Sequence, residues 1–236
     1  AGDDTYFVDD SGDIVTENSS EGTDKIVSSV TYTASDNIEN LNLSGSSNIN
    51  ATGNSLDNTL NGNSGNNTLN GEAGDDTLNG SSGNDTLNGG SGDDTLNGGV
   101  GTDKAIFSSQ NNQINLNITS SQDTGDGNDT LTSIENINGG SGDDIIQGNS
   151  SANILVGSSG NDSLIGNGGN DYLNGGHGND IMDGGANGSG IDPWMVNDVV
   201  EYQASIDRFS VQKHTFEGKT LKIMDESTKQ VAFIIT

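Results

Sequence analysis

GEAGDDTLNGSSGNDTLNGGSGDDTLN, residues 71–97, is one nine-residue phrase written three times. The phrase keeps its register from Gly53 to Ile106 and returns from Gly139 to Asp183. Counted from its first residue, the phrase has glycine at position 1 and usually at position 4, aspartate or asparagine at position 6 and, in most copies, an aliphatic residue at position 8. A short fixed period of this kind predicts a stacked architecture in which every repeat adds one structural unit.

Each phrase predicts a glycine-rich turn followed by a short β-strand. Side chains alternate along a strand, so the position-8 residue points inward while positions 7 and 9 point outward. Two phrases then form one coil, and coils stack at the strand spacing of about 4.8 Å. The predicted inward residues are Leu60, Leu69, Leu78, Leu87, Leu96 and Ala105 in the first block and Ile146, Leu155, Leu164, Leu173 and Met182 in the second.

Outside the repeats the sequence is rich in β-forming residues, as in KIVSSVTYT (25–33), which predicts an all-β chain. EGTDKIV (21–27) is similar to VGTDKAI (100–106), and NIENLN (37–42) is similar to SIENIN (133–138). These echoes predict two unequal copies of one module. The chain divides into an N-terminal β spacer (1–52), a first nonapeptide block (53–106), a second β spacer (107–138), a second block (139–185) and a C-terminal cap of strands (186–236).

The composition excludes several classes of protein. Only 28% of the 236 residues are apolar and the formal net charge is −28, a combination that normally predicts disorder unless the carboxylates are neutralised. Divalent cations are the obvious candidates to neutralise these carboxylates. The excess of acidic over basic residues argues against binding to nucleic acids, because contacts to their phosphates require lysine and arginine. No apolar run approaches the roughly 20 residues of a membrane span.

The spacing of the repeat predicts calcium sites. Ca²⁺ takes six to eight oxygen ligands from carboxylates and main-chain carbonyls, and glycine turns let carbonyls converge on one point. The predicted side-chain ligands are Asp76, Asp85, Asp94, Asp103, Asp144, Asp162, Asp171 and Asp180, with Asn58, Asn67 and Asn153 as neutral substitutes. The predicted turn carbonyls belong to Gly71, Gly74, Gly80, Gly83, Gly89, Gly92, Gly98, Gly157, Gly160, Gly166, Gly175 and Gly178.

Stacking of phrase n on phrase n+2 predicts which ligands meet. The acidic pairs are Asp76 with Asp94, Asp85 with Asp103, Asp144 with Asp162 and Asp162 with Asp180. The mixed pairs, which bring less charge and are expected to be weaker or empty, are Asn58 with Asp76, Asn67 with Asp85 and Asn153 with Asp171. Asp129 in GDGND (125–129) and Asp4 in GDDTY (2–6) fit position 6 of isolated phrases and are candidates for additional ligands.

The phrase resembles the RTX (repeats-in-toxin, haemolysin-type) calcium-binding nonapeptide, GGxGxDxUx. The resemblance implies a right-handed parallel β-roll with flanking β-helix-like spacers. It also implies type I secretion of an unfolded chain that folds on meeting external calcium. This sequence departs from the pattern at the three asparagines of position 6 and at position 2, where Glu72, Ser81 and Ser158 replace glycine.

We expect the nonapeptide blocks to be disordered without calcium. Each phrase buries one aliphatic side chain, which is too small a core to offset the entropy of ordering nine glycine-rich residues. Metal ligation would both remove the repulsion between stacked carboxylates and supply folding free energy.

The sequence favours a non-catalytic function. It contains neither HExxH nor GxSxG, the motifs of the protease and lipase partners of such repeats. We expect an extracellular calcium-binding segment of a larger secreted bacterial protein, with a structural or spacer role in a surface adhesin, an S-layer-like protein or an exoenzyme. The opening AGDDTYF reads as the end of a further phrase, which predicts a piece of a longer array.

Two alternatives remain open from the sequence. The segment could be an ancillary carbohydrate-binding module of a polysaccharide-modifying enzyme, although aromatic residues make up only 4% of the chain. It could also be an ice-binding β-solenoid, because outward threonines and asparagines form ranks at positions 7 and 9. The expected partners are calcium ions, with cell-surface glycans or neighbouring copies of the array as further candidates.

Overall fold

A computed structural model describes residues 2–108 and 110–185, together with three strands at 199–202, 221–223 and 233–235. All regular elements in these described residues are β-strands. The strands are β1 (Thr5–Val8), β2 (Lys25–Ser28), β3 (Tyr32–Thr33), β4 (Asn40–Leu43), β5 (Ala51–Thr52), β6 (Thr59–Asn61), β7 (Thr68–Ala73), β8 (Thr77–Asn79), β9 (Thr86–Ser91), β10 (Thr95–Asn97), β11 (Lys104–Ile106), β12 (Gln113–Asn115), β13 (Gln122–Asp123), β14 (Asn128–Thr132), β15 (Asn136–Ser141), β16 (Ile145–Gln147), β17 (Ile154–Ser159), β18 (Ser163–Ile165), β19 (Tyr172–His177), β20 (Ile181–Asp183), β21 (Val199–Tyr202), β22 (Leu221–Ile223) and β23 (Phe233–Ile235).

The strands stack as a parallel β-solenoid with two opposing faces. One face is a nine-stranded sheet in the order β21-β19-β17-β15-β11-β9-β7-β5-β3, here called the continuous sheet. The opposing face consists of two sheets in succession. The N-terminal sheet has the order β1-β2-β4-β6-β8-β10-β14-β13, and the C-terminal sheet has the order β12-β16-β18-β20. Strands β22 and β23 form a separate antiparallel pair.

The register of the stack follows the nine-residue period. Leu60 lies opposite Leu78, and Leu78 lies opposite Leu96, so neighbouring strands of one face are 18 residues apart. Two phrases therefore make one coil, as the alternation of turns and strands predicts. The predicted parallel β-roll is confirmed.

A single row of inward side chains on each face forms the core. The predicted inward residues are exposed by no more than 1%, except Met182, which is partly buried near the end of the described solenoid. The same rows continue through the sequence outside the repeats, where they are formed by Ile26, Leu41, Leu131, Ile137 and Ile114. The spacers and the repeats therefore share one hydrophobic core.

The segment 107–138 is built into the solenoid. Strand β11 of the first block pairs directly with β15, with Ala105 opposite Ile137, so the continuous sheet passes through this segment without a break. On the opposite face, β14 adds the last parallel strand to the N-terminal sheet, and β12 begins the C-terminal sheet beside β16. The two nonapeptide blocks thus share one sheet and differ in the other.

Of the predicted C-terminal cap, 186–236, only strands β21, β22 and β23 lie among the described residues. Strand β21 extends the continuous sheet by pairing with β19. Within the part of the chain that the structure describes, no helix is long and apolar enough to span a membrane.

Candidate metal centre

The position-6 side chains form buried rows, one in the turns that precede the strands of each of the three solenoid sheets. In each row the main-chain N–H of one position-6 residue donates to a side-chain oxygen of the position-6 residue one coil further on. The donor–acceptor distance is 2.8 Å from Asp76 to Asp94 Oδ1 and 2.7 Å from Asp85 to Asp103 Oδ1. It is 2.9 Å from Asp144 to Asp162 and 3.0 Å from Asp162 to Asp180. The structure therefore brings together all four of the acidic pairs that the sequence predicts.

In six of these seven aspartates the second carboxylate oxygen is buried and has no hydrogen-bond partner. This holds for Oδ2 of Asp76, Asp85, Asp94, Asp103, Asp144 and Asp162, whose side chains are at most 2% exposed. A buried charged oxygen without a partner is strongly unfavourable, and folded proteins pair such groups or use them to coordinate metals. These six oxygens are therefore available to coordinate a cation.

The asparagine turns are satisfied internally. Oδ1 of Asn58 accepts a hydrogen bond of 2.7 Å from the N–H of Asn54, which is position 2 of the same phrase. Asn67 and Asn153 accept the equivalent bond of 2.8 Å from the position-2 residue of their own phrases. An asparagine thus closes its turn with a hydrogen bond that the aspartate turns lack. The mixed pairs are in register, with Asn58 donating its N–H to Asp76, Asn67 to Asp85 and Asn153 to Asp171.

The position-1 glycines stand beside the unpartnered oxygens. A β-carbon on Gly71 or Gly89 would collide with Oδ2 of the aspartate of the same turn, Asp76 or Asp94. A β-carbon on Gly80 would also lie 2.5 Å from the carbonyl oxygen of Gly98, one coil further on. Glycine is therefore required at position 1, because a carboxylate oxygen and a main-chain carbonyl oxygen converge on its α-carbon.

The predicted glycine carbonyls fall into two groups. The position-1 carbonyls of Gly71, Gly80, Gly89, Gly98 and Gly166 point toward the position-1 glycine of the preceding coil, where that coil's position-6 side chain lies. The position-4 carbonyls of Gly74, Gly83 and Gly160 lie against the position-4 glycines of the following coil, Gly92, Gly101 and Gly178. The α-carbons of Gly157 and Gly175 lie beside the carboxylates of Asp162 and Asp180, respectively.

The departures from glycine at position 2 occupy strained backbone. Glu72, Ser81 and Ser158 have φ of 83°, 75° and 82°, in the left-handed region that glycine normally fills. These three turns thus keep a glycine-like backbone although their sequence departs from the consensus.

Burial raises the pKa of aspartates in the position-6 rows. It raises the pKa of Asp76, Asp85 and Asp162 to about 6 and that of Asp94 to about 7, although the hydrogen bond from the neighbouring main-chain N–H opposes the shift. Burial also raises the pKa of Asp103, Asp129, Asp144 and Asp180. Without a cation, the fold holds these carboxylates in surroundings that disfavour their charge.

The two candidates outside the blocks lie in the same rows. Asp129 accepts a 2.8 Å hydrogen bond from the N–H of Asp94, but its Oδ2 accepts a further bond from the Thr124 hydroxyl. Asp4 is exposed and donates its N–H to Oδ1 of Asp24 at 2.8 Å. The carboxylates of Asp4, Glu17 and Asp24 offer oxygens within 4.8 Å of one another.

Three acidic residues of these rows were missed by the sequence reasoning. Asp24 and Glu39 continue the row that contains Asp76, because the N–H of Asp24 donates to Oε2 of Glu39 at 2.7 Å. Glu135 continues the row of Asp103, whose N–H donates to its Oε2 at 2.8 Å. The similarity of EGTDKIV (21–27) to VGTDKAI (100–106) could have placed Asp24 at position 6, and both glutamates stand two residues before an inward residue, as the aspartates do.

A second, exposed ladder runs along position 5. Here the N–H donates to a side chain of the preceding coil: Asp75 donates to Asp57 Oδ1 at 2.9 Å, and Asp93 donates to Asp75 Oδ1 at 2.8 Å. In the second block Asn161 donates to Asp143 Oδ1 at 2.7 Å. The two ladders run in opposite directions, so successive turns are fastened to each other through both positions.

Comparison with known families agrees with this geometry. The family model described as RTX calcium-binding nonapeptide repeat (4 copies) matches residues 52–87, 71–105, 80–114, 132–164 and 156–188, which together cover just over half of the chain. A search of the curated proteins found no match. The repeats that the family model recognises are those whose turns carry the buried aspartate rows. The chain belongs to the RTX calcium-binding nonapeptide repeat family.

Proposed function

We propose that Ca²⁺ binds between successive position-6 aspartates and that this binding folds the segment. The observation that carries the proposal is the set of six buried Oδ2 atoms without hydrogen-bond partners. The proposed ligands are the position-6 aspartates and the turn carbonyls predicted from the sequence. The asparagine turns are proposed to be weaker or empty, because their side-chain oxygens already accept hydrogen bonds within the turn.

The donor set fits a hard cation such as calcium better than it fits zinc or copper. The polar atoms that converge on the position-1 glycines are oxygens of the position-6 carboxylate or amide and of main-chain carbonyls. Hard cations such as Ca²⁺ prefer oxygen ligands, whereas zinc and copper sites usually include imidazole or thiolate. The chain has no cysteine and only two histidines, and His177 is exposed at the rim of its turn.

The charge distribution supports calcium-dependent folding. Residues 1–185 contain 28 of the 35 acidic residues but only two of the seven basic residues, Lys25 and Lys104. Stacking the position-6 carboxylates without cations places like charges beside one another in buried rows, which favours the unfolded chain. Calcium would neutralise the row and supply folding free energy, because the unfolded chain has no preformed site.

We propose that this segment is a non-catalytic, extracellular part of a larger secreted bacterial protein. Its role would be that of a spacer or structural element, as in a surface adhesin, an S-layer-like protein or an exoenzyme. The extended stack supports such a role, since nine strands of the continuous sheet span roughly 40 Å at the usual strand spacing. Calcium-dependent folding would also suit a chain exported unfolded and folded outside the cell.

The test compares two adjacent aspartates of one turn. Asp76 is buried in the position-6 row, whereas Asp75 is exposed in the position-5 ladder. In the full chain we expect circular dichroism to show disorder in EDTA and β-structure with calcium. Asp76→Asn should raise the calcium concentration at the midpoint of folding, and Asp75→Asn should leave it close to wild type. A β spectrum and melting point unchanged by EDTA would refute calcium-dependent folding.

A further inference from the structure

The continuous sheet contains one turn that is shorter than those on either side of it. The turns Gly98–Asp103 and Gly148–Asn153 each have six residues before their strands β11 and β17. Between them in the stack, the chain passes from β14 to β15 through Ser133, Ile134 and Glu135 alone. This three-residue turn stands where the first and second nonapeptide blocks meet on their shared sheet.

The short turn reproduces the oxygen groups of a full turn. Glu135 Oε2 accepts the N–H of Asp103 at 2.8 Å, as the next aspartate does elsewhere in the row. A β-carbon on Gly98 would lie 2.6 Å from Asp103 Oδ2 and would collide with the carbonyl oxygen of Ser133. In the full turns, the equivalent position-1 glycine faces its own carboxylate and the position-1 carbonyl of the next coil. Ser133 therefore takes the place of the position-1 glycine, and Glu135 takes the place of the position-6 aspartate.

The aspartate at this junction has an oxygen that the protein does not satisfy. Asp103 has no exposed surface, and its Oδ2, on the side of Gly98 that faces the Ser133 carbonyl, has no hydrogen-bond partner. Asp103 Oδ1 is already used by the N–H of Asp85. The unsatisfied oxygen and the Ser133 carbonyl thus converge beside a second carboxylate, that of Glu135.

Because Ile134 alone stands where a full turn has the four residues of positions 2 to 5, the row of turns has a notch. The notch has a volume of about 430 Å³ and is lined by Thr102 of the preceding turn, Ala152 of the following turn and Glu135 at its base. Glu135 itself is only partly buried. The junction is therefore open to solvent on the side of Glu135, whereas Asp103 Oδ2 is buried.

The pairing of an aspartate N–H with a glutamate carboxylate occurs twice in the chain. Near the N-terminus, Asp24 of GTDK (22–25) is 1% exposed and donates its N–H to Oε2 of Glu39 in IEN (38–40). At the junction, Asp103 of GTDK (101–104) does the same to Glu135 in IEN (134–136). The repeated pairing indicates that the glutamate is a regular member of the row.

We propose that Asp103 Oδ2, the Ser133 carbonyl and the Glu135 carboxylate form an additional, solvent-open Ca²⁺ site. It joins the first nonapeptide block to the second. The inference rests on the proposed binding of calcium by the full turns, from which it differs in its glutamate ligand and its open side. An ion in this site keeps more coordinated water than ions in the full turns, because the notch leaves room that protein oxygens do not fill.

The experiment counts calcium ions on the full chain by native mass spectrometry after equilibration with calcium. Glu135→Gln keeps an oxygen that can accept the Asp103 N–H but removes the charge, and we expect it to bind one ion fewer than wild type. Glu72→Gln is the matched control, because Glu72 is exposed and bonds to Asn70, and it should bind the wild-type number. Equal numbers in wild type and Glu135→Gln would overturn the additional site and leave the proposed function standing. No bound calcium in wild type would overturn the proposed function itself.

A second measurement does not depend on the folding of a variant. Europium can replace calcium, and its luminescence lifetimes in H₂O and D₂O report how many waters each bound ion retains. We expect wild type to contain a water-rich class of ions beside a water-poor class, and Glu135→Gln to lose ions of the water-rich class. A single water-poor class in wild type would overturn the proposal, even if Glu135→Gln fails to reach wild-type strand content in saturating calcium.

Discussion

The main-chain N–H of Asp76 donates to Oδ1 of Asp94, eighteen residues later, and Oδ2 of Asp94 is left buried without a hydrogen-bond partner. One oxygen of the carboxylate thus fixes the register between coils, and the other is available to a cation. The structural role of the repeat and its proposed ligand-binding role are thus divided between two atoms of one side chain. An asparagine instead donates its side-chain amide N–H to a carbonyl of the preceding coil, as Asn58 does to Ile38, and uses its oxygen to close its own turn.

Asn67→Asp should create a calcium site in the first block. The asparagine oxygen now accepts the N–H of Asn63, whereas a carboxylate would face Asp85, one coil further on, as the aspartate pairs do. We expect one additional calcium ion per chain by native mass spectrometry and a lower calcium concentration at the folding midpoint. Asn66→Asp changes the charge equally at the exposed neighbouring position and serves as the control. An unchanged ion count in Asn67→Asp would argue against the role assigned to position 6.

Gly89→Ala should damage both the fold and its calcium site. The new β-carbon would collide with the Asp94 carboxylate, which is held in place by the N–H of Asp76. Overpacking of this kind typically costs about 1–3 kcal/mol, and we expect a loss of that size in the free energy of unfolding in saturating calcium. Urea denaturation measures this loss, and a calcium titration should show weaker binding.

The control for Gly89→Ala is Gly12→Ala. A β-carbon on Gly12 would lie 3.2 Å from the end of the exposed Asp10 side chain, which can move aside. Gly12→Ala should therefore leave both measurements near wild type. If the two variants were equally stable, the crowding at position 1 would have no energetic consequence.

The periodic part of the structure could be predicted from the sequence because its contacts repeat every 18 residues. Once two phrases make one coil, counting 18 residues places Leu78 between Leu60 and Leu96 and places Asp94 one coil after Asp76. The family, the parallel β-roll and the acidic pairs are therefore visible in the nonapeptide alone.

The contacts at the junction between the two blocks could not be predicted by counting residues in this way. Ala105 meets Ile137 across 32 residues, and the intervening chain ends one sheet with β14 and begins another with β12. Sequence gives no fixed period from which to place Glu135 under Asp103. The hydrogen bond that closes each asparagine turn could not be predicted either, because it depends on where one side-chain oxygen points rather than on residue spacing.

The calcium-free fold should become more stable as the pH is lowered toward 5. Burial raises the pKa of Asp94 to about 7 and that of Asp76 and Asp162 to about 6, whereas an aspartate of the unfolded chain titrates near 3.8. Between these values the folded state holds protons that the unfolded state has released. The stability that these groups contribute is therefore fully present below about pH 4 and is lost as the pH rises through 6 to 7.

We expect circular dichroism in EDTA to show more strand at about pH 5 than at about pH 8, both above the isoelectric point near 4.1. With calcium present the direction is reversed, because protons compete with the ion for the same carboxylates. The calcium concentration at the folding midpoint should therefore be higher at about pH 5 than at about pH 8. Asp94→Asn removes the group with the highest of these pKa values and should reduce both differences. Strand content in EDTA that increased from pH 5 to pH 8 would show that the buried row does not control folding.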